Sequence, residues 1–386
     1  MKIPLLYNLR NLRVRKFTTL MTALGTGLSV AVLLSVLALV SGLRTAFEAT
    51  GHPRQILVTR KGSSAELTSV ITRENFQTIK CKAGIARDVD GQPLASLEVV
   101  TVINIEEGET EEMNVNLRGL LPAGVEMRPQ VHLLEGRMFD SGKREVVVGK
   151  GIADRYSSMR IGRRIRFGRG EWEIVGIMDG GRSAFNSETF ADLNQVSADY
   201  NRNGFLSSVL LRAEPGYLEA LARNLEEDPA LNVTAEPEKE YYAAQTRSAL
   251  PVQFMGMLVA AIMAVGSAFA AMNTTYAAVA RRASEIGTLR VLGFSRASIL
   301  TSFLVESLLI SAMGGVVGCL LVLPLNNLKT RMGSFTTFAE MNFSLRVSPQ
   351  ILAVGLSFAL IIGALGGLLP AQAAARKQIL AALRGV

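Results

Sequence analysis

The chain has 386 residues, of which 49% are hydrophobic and 19% are charged, and its formal net charge is +8. Soluble domains carry about 25% charged residues, so this composition argues against a wholly soluble chain and indicates that lipid solvates part of it. The positive charge is compatible with nucleic-acid binding or with a membrane protein that has basic loops.

The positions of the charges separate these two interpretations. Residues 44–247 hold 26 Lys or Arg and 30 Asp or Glu, whereas the rest of the chain holds 15 basic and 3 acidic residues. The basic excess therefore lies in or beside the apolar stretches. We therefore expect membrane lipids as partners and no nucleic acid.

The first apolar stretch, residues 18–43, has no charged residue and exceeds the roughly 20 residues that a helix needs to cross a bilayer. Basic residues precede it within the segment 1–17, as they do in a secretory signal peptide. The apolar core of a signal peptide is only about 7–15 residues long. We therefore predict a retained membrane anchor.

Residues 44–248 predict an α+β extracytoplasmic domain of one or two subdomains. Runs of β-branched and alternating residues indicate five strands, QILVT, LEVVTVIN, MNVNLRGL, REVVVG and EWEIVGIM, and residues 72–80 and 217–227 indicate helices. The two cysteines, Cys81 and Cys319, and the two histidines, His52 and His132, lack the spacing of a metal site or a disulfide framework. We expect no metal, no cofactor and no catalytic residues, so the chain is not predicted to be an enzyme.

Three local features of this domain call for an interpretation: an acidic cluster, a basic run and a single tryptophan. The acidic residues around Gly108 indicate a solvated loop, with metal binding as the alternative; they are Glu106, Glu107, Glu109, Glu111 and Glu112. The basic run indicates a decorated hairpin, with partner docking as the alternative; it comprises Arg160, Arg163, Arg164, Arg166 and Arg169. Trp172 lies in a strand pattern and is predicted to be core.

Three further apolar stretches follow, at residues 249–276, 298–324 and 348–371, separated by loops at 277–297 and 325–347 and followed by a tail at 372–386. The predicted fold is an integral membrane protein with four transmembrane helices and the α+β domain inserted between the first and second. The amino-terminal segment, the 281–296 loop and the tail hold 12 basic residues, against 3 in the other short loop. The positive-inside rule therefore places both termini in the cytoplasm of a multi-pass protein.

Small residues recur at four-residue spacing in these helices and favour close helix contacts. They include Gly256 and Ala260 in the second span, Gly314 and Gly318 in the third, and Gly363 and Gly367 in the fourth. Packing within one subunit and a dimer face are both open interpretations.

The loop that begins at Arg281 predicts an amphipathic helix interrupted by Gly287 and ended near Gly293. Such a helix suits docking to a partner or contact with lipid headgroups, and the residues alone leave both open. Glu306 is the one charge inside an apolar stretch, where an ionised carboxylate needs a partner. We expect Arg296, Asn273 or a neighbouring subunit in that role, and favour a structural clamp over a proton relay.

The pattern of paired arginines, EIGTLRVLGFS and FLVESLLI resembles the MacB/FtsX-type permeases of ATP-binding cassette (ABC) systems, which include MacB-like and LolC/LolE-like subunits. The resemblance extends to NLRNLRVRKFTTLMTALGTGLSVA at the amino end, to LRGLLP, LLEGRMF, REVVVGKGIA, IGRRI and WEIVGIM, and to LPAQAAARKQILAALRG at the carboxyl end. It thus covers nearly the whole chain and is strongest from Glu285 to Gly293.

The resemblance implies a permease subunit of the bacterial inner membrane that forms a homo- or heterodimer and binds cytoplasmic ABC ATPase subunits. A periplasmic adaptor (membrane fusion) protein is a further implied partner. The implied ATPase-coupling residues are Arg281, Arg282, Glu285, Ile286, Gly287, Leu289, Arg290, Leu292 and Gly293. No GxxxxGK[ST] motif occurs, and the chain starts directly with the pre-span segment, so we expect a separate permease subunit without a fused ATPase.

Two functions follow from the resemblance. The first is export or mechanotransmission, in which ATP hydrolysis moves the outer domain to extrude or release a lipoprotein, a peptide or a small amphiphile. The alternative is an FtsX-like regulator that activates a cell-wall hydrolase without transport. The outer domain of about 200 residues favours the first. A membrane-anchored enzyme would need a catalytic set, which residues 44–248 do not offer.

Overall fold

The computed structural model describes residues 16–107, 111–333 and 340–376. The predicted amino-terminal segment up to residue 15, the tail from residue 377 and part of the acidic loop lie outside these residues. The helices are α1 (Lys16–Thr50), α2 (Arg73–Ile79), α3 (Pro122–Glu126), α4 (Lys150–Ala153), α5 (Leu193–Asp199), α6 (Leu218–Glu226), α7 (Glu238–Gln245), α8 (Leu250–Arg281), α9 (Ala283–Val291), α10 (Arg296–Val322) and α11 (Pro349–Arg376).

The described strands are numbered in chain order. They are β1 (Gln55–Arg60), β2 (Ala95–Glu107), β3 (Glu111–Leu120), β4 (His132–Gly136), β5 (Glu145–Gly149), β6 (Arg164–Phe167), β7 (Gly170–Asp179), β8 (Glu188–Asp192), β9 (Ser208–Arg212), β10 (Val233–Pro237), β11 (Lys329–Gly333) and β12 (Glu340–Ser344). Short 3₁₀ helices lie at Glu66–Thr68, Ala184–Ser187, Thr246–Ala249 and Leu323–Leu325.

The chain divides into two compact units. The helical unit comprises residues 16–41, 250–328 and 345–376, and the sheet unit comprises residues 42–249 and 329–344. The sheet unit therefore includes the segment between α10 and α11, which the sequence predicted only as a short loop. That segment forms the β11–β12 hairpin, and the Lys329 ammonium binds the Asp154 carboxylate at 2.8 Å.

Within the described residues, four helices are long and apolar enough to cross a membrane: α1, α8, α10 and α11. Helix α1 has 35 residues, about 52 Å at 1.5 Å per residue, and runs past the predicted end at residue 43. Its last two turns contain the i,i+4 pair Arg44–Glu48 and no helix breaker, which allows the helix to continue to Thr50. Gly51 and Pro53 then end it.

The small residues of the helical unit lie where helix backbones approach each other. A Cβ at Gly318 would lie 2.6 Å from the Gly27 carbonyl oxygen of α1, and Gly314 faces the same turn of α1. Gly363 and Gly367 of α11 pack on Ser311 and Ser307 of α10, while Gly256 packs on Val36 and Ala260 is buried. These contacts join helices of one chain, and the alternative of a dimer face stays a prediction.

The sheet unit is built on a ten-stranded mixed sheet with the order β10-β1-β9-β2-β3-β8-β5-β7-β4, and β6 pairs with β7. The long strand β2 joins its two halves, because Ala95–Glu98 pairs with β9 and Val99–Glu107 pairs with β3. Only β3–β8 and β5–β7 are parallel. The five predicted strands and both predicted helices are present. Of the basic run, Arg164, Arg166 and Arg169 lie in the β6–β7 hairpin, and Arg160 and Arg163 precede it.

The core of the sheet unit follows from the strand patterns. The apolar runs of β1, β5 and β9 are buried, and Trp172 of β7 is fully buried with its ring stacked on Phe167 at 4.9 Å between centroids. This apolar burial stabilises the sheet by about 25 cal/mol per Å² removed from water. The sheet thus forms a rigid scaffold for the charged residues described below.

Candidate coupling site

The coupling segment is a short helix, α9, between the long helices α8 and α10. Its carboxyl end is a Schellman cap, in which the Phe294 and Gly293 amides donate to the Leu289 and Arg290 carbonyls and Gly293 has φ +94°. The predicted interruption at Gly287 is wrong, because α9 runs through it without a break. A glycine weakens a helix by about 1 kcal/mol, and the buried contacts of its neighbour Ile286 offset that cost.

Arg282 connects this helix to α10. Its Nη1 donates to Glu306 Oε2 at 3.0 Å, its Nε donates to Glu285 Oε2 at 3.2 Å, and its guanidinium lies 5.1 Å from the centroid of the Phe303 ring. The Arg282 and Glu306 side chains are only 10% and 9% exposed. Because removing one partner of a buried ion pair typically costs about 3–5 kcal/mol, this pair holds α9 firmly against α10.

The expected partners of Glu306 were different. Arg296 and Asn273 are both exposed, and the ion pair forms instead with Arg282, for which the family resemblance implies a role in ATPase coupling. The fold explains the difference, because Arg282 lies in the turn between α8 and α9, within hydrogen-bond distance of Glu306 on α10. Glu306 also lines a cavity of about 20 Å³ with Thr18, Thr274 and other residues, which has room for about one water.

The nine predicted coupling residues separate into three groups by exposure. The exposed ones are Arg281, Glu285, Leu292 and Gly293; the half-buried ones are Leu289 and Arg290; the buried ones are Arg282, Ile286 and Gly287. The buried group anchors the helix within the chain. Leu292 and its neighbour Val291 are 65% and 63% exposed. The exposed surface of α9 and its carboxyl cap therefore includes two large apolar side chains beside the Glu285 carboxylate, which Arg282 binds.

The sheet unit holds a buried ion cluster that the sequence did not predict: Glu66, Glu98, Arg118, Arg128 and Glu188, each at most 5% exposed. All five N–H groups of the Arg118 guanidinium donate to carboxylates, at 2.8–3.1 Å, and its three partners are Glu66, Glu98 and Glu188. Arg128 binds both oxygens of Glu98. Isolated charges in the apolar strand patterns LEVV and NLRGL are the signal that was available.

Burial and charge act in opposite directions on these carboxyl groups. Burial alone would raise the pKa of Glu66, but Arg118 and hydrogen bonds from Arg118 and Ser208 hold it below its ordinary value. Glu238, at the start of α7, is different: burial raises its pKa to about 7, although Arg128 lies near it. Its Oε2 accepts a hydrogen bond of 2.7 Å from the His52 amide, which joins α7 to the chain just after α1.

Two family profiles match the chain. The MacB-like periplasmic core domain matches residues 19–228, more than half of the chain, and the FtsX-like permease C-terminal region matches residues 257–379. The chain belongs to the MacB/FtsX-type ABC transporter permeases. It is therefore a membrane protein, and α9 with its clamp lies inside the FtsX-like region.

Curated relatives and solved structures show similarity to the same family. An uncharacterized ABC transporter permease, YknZ of Bacillus subtilis, is 26% identical over 55% of this chain and 54% of its own length. The macrolide export ATP-binding/permease protein MacB of Bdellovibrio bacteriovorus is 23% identical over 97% of this chain and 60% of its own length. The chain thus spans little more than half the length of these relatives.

Among solved structures, the extracellular domain of the YknZ transporter from Gram-positive bacteria covers 47% of this chain and 99% of its own, with 18% identity and a TM-score of 0.37. The periplasmic region of MacB from Actinobacillus actinomycetemcomitans covers 50% of this chain and 92% of its own, with 10% identity and a TM-score of 0.38.

Proposed function

We propose that this permease couples ATP hydrolysis by a separate cytoplasmic ATPase to movements of its sheet unit on the other side of the inner membrane, and so extrudes or releases a lipoprotein, a peptide or a small amphiphile. The observation that carries the proposal is the clamped helix α9. Arg282 fixes it to α10 through Glu306, while Glu285, Val291 and Leu292 stay exposed for a partner.

The Arg282–Glu306 ion pair allows force on α9 to reach α10. A partner that pushes on α9 displaces α10 with it, because the buried Arg282–Glu306 pair resists separation. The chain then continues from α10 into the β11–β12 hairpin, which is part of the sheet unit. ATP hydrolysis by a partner chain is part of the same proposal.

The match to the MacB-like periplasmic core domain over residues 19–228 supports export or mechanotransmission over an FtsX-like regulator. A second permease subunit and a periplasmic adaptor protein are part of the same proposal. Both termini of the chain are then cytoplasmic, consistent with the basic residues that flank the spans.

Replacing an exposed apolar side chain beside α9 with a charged one tests whether the ATPase docks there. Leu292→Asp is expected to weaken co-purification of the ATPase from native membranes by about tenfold or more, because an interface core residue becomes charged. Leu328→Asp is the matched control, since Leu328 is 52% exposed and follows the carboxyl end of α10, whereas Leu292 precedes its amino end. Equal co-purification and equal ATPase activity in both variants would overturn the proposal.

A further inference from the structure

A cavity of about 70 Å³ lies inside the sheet unit, next to the ion cluster. One water needs about 10–15 Å³ of such volume, so the cavity has room for several waters or for one small organic group. Its lining includes the polar residues Glu66, Asn116, Arg118 and Glu188 together with aromatic side chains.

The aromatic side chains and Met341 come from segments of the sheet unit that lead into the long apolar helices. Phe47 lies near the end of α1, Tyr241 and Tyr242 lie in α7 just before α8, and Met341 lies in β12, which leads to α11. An occupant of the cavity would therefore touch each of the segments that continue into those helices.

The charges around the cavity favour a cation. Three carboxylates, Glu66, Glu98 and Glu188, face two guanidinium groups, Arg118 and Arg128, which leaves one negative charge in a buried place. An unbalanced buried charge is costly. Arg118 also lines the cavity, but its five N–H groups all bind carboxylates, so it has no donor left for an anion.

The remaining lining residues have the chemistry that recognises an alkylammonium group. The rings of Tyr241 and Tyr242 meet edge to face with centroids 5.3 Å apart, and Phe47 stacks on Tyr242 at 6.5 Å. Aromatic faces attract organic cations by about 0.5–2 kcal/mol. Asn116 Oδ1 is buried and accepts no hydrogen bond from the described residues, so it is available to an ammonium N–H.

We propose that this cavity binds a small organic cation of the alkylammonium class. The cation balances the negative charge of the ion cluster, packs against the aromatic rings and donates to Asn116. Its occupancy then fixes α7 and β12 relative to the sheet. The site depends only on the sheet unit's own residues and stands whether or not an ATPase docks on α9.

Calorimetric titration of the full chain in nanodiscs tests the site with three probes of similar size: ethylammonium, n-propanol and propionate. Ethylammonium is expected to bind at least about tenfold more tightly than the other two, which corresponds to about 1.4 kcal/mol. Hydrogen exchange is expected to slow in Glu238–Gln245 and Glu340–Ser344 on binding. No binding, or equal binding of the three probes, would overturn the proposal and assign the cavity to water.

Variants on one strand add a second measurement. Asn116→Leu removes the free acceptor and is expected to lower ethylammonium affinity about tenfold. Asn114→Leu is the matched control, because Asn114 is exposed two residues earlier on β3 and is expected to bind as the unmodified chain does. Equal affinities in the two variants would count against the site, and the comparison of three probes decides it if Asn116→Leu does not fold.

Discussion

Arg118 is the residue on which most of the buried charge of the sheet unit depends. Its guanidinium holds carboxylates from the 3₁₀ helix at Glu66, from β2 and from β8. Replacing such a cluster with apolar residues is often neutral, whereas removing one member leaves charges buried without a partner. Its contribution is therefore to fix these three elements in one arrangement.

Arg118→Met is expected to lower the free energy of unfolding of the sheet unit by about 3–5 kcal/mol, because three carboxylates lose their shared partner. Trp172, the only tryptophan of the chain, is fully buried in this unit, so its fluorescence during denaturant unfolding reports the change in the full-length protein. Arg166→Met at an exposed position is the control. Equal midpoints for the two variants would contradict the role given to Arg118.

The raised pKa of Glu238 predicts that the stability of the sheet unit falls as pH rises. Its pKa is about 7 in the folded protein and 4.5 ordinarily, so the folded state holds a proton that the unfolded state releases between these values. The stability that this group contributes is present below pH 4.5 and is lost as pH rises through 7, by about 3 kcal/mol in total.

Glu238→Gln is expected to remove that loss, so the unfolding midpoint followed by Trp172 fluorescence should fall less between pH 5 and pH 8 than in the unmodified chain. Glu240→Gln, at an exposed position two residues further on, should retain the original dependence. A variant curve that follows the unmodified chain would refute the assignment to Glu238.

At the scale of helices, backbone contact replaces the hydrophobic effect as the determinant of packing. Lipid is as apolar as leucine, so helices gain by approaching closely enough for many van der Waals contacts. The contact of Gly314 and Gly318 with the Gly27 turn of α1, and that of Gly363 and Gly367 with the α10 serines, are of this kind. Both include α10, the helix that carries Glu306.

Gly318→Val is expected to separate α10 from α1, because the new side chain meets the Gly27 carbonyl oxygen, at a cost of about 1–3 kcal/mol. The neighbouring Cys319 thiol is half-buried, so its maleimide labelling on heating, in a Cys81→Ser background, should begin at lower temperature. Gly266→Val, whose Cβ meets nothing within 4 Å, should label as the unmodified helix does. Identical labelling of both would contradict the packing role.

At the scale of the whole molecule, the chain alternates between two units, and the sheet unit receives an insertion from between α10 and α11. Four covalent connections thus link the sheet unit to the long helices: one through α1, one after α7, and one at each end of the β11–β12 hairpin. In the proposed function, these connections transmit the movement of the helices.

The proposed orientation predicts which cysteines an impermeant reagent reaches. Cys81 is exposed in the sheet unit, so in intact spheroplasts a membrane-impermeant maleimide should label it. Thr288→Cys, on the exposed surface of α9, should react only after permeabilisation when tested in a Cys81→Ser background. The reverse pattern would place the sheet unit in the cytoplasm and contradict the positive-inside assignment.

The sequence alone was sufficient for features that depend on local composition. Four long apolar stretches gave four apolar helices because a continuous apolar run has no other stable state in lipid. The short β-branched run of REVVVG gave a strand that is buried on both faces. The motif EIGTLRVLGFS pointed to the family, which the profile matches then showed.

Tertiary structure alone decided which distant residues meet. Nothing near Glu306 in the sequence indicates that Arg282, 24 residues earlier, is its partner, because a helix turn and a short helix must first bring them together. The same holds for Arg118 and its three carboxylates, and for the aromatic rings beside them. Local patterns fix elements, whereas the pairing of buried charges depends on how the completed elements pack, since only burial makes the pairing energetically necessary.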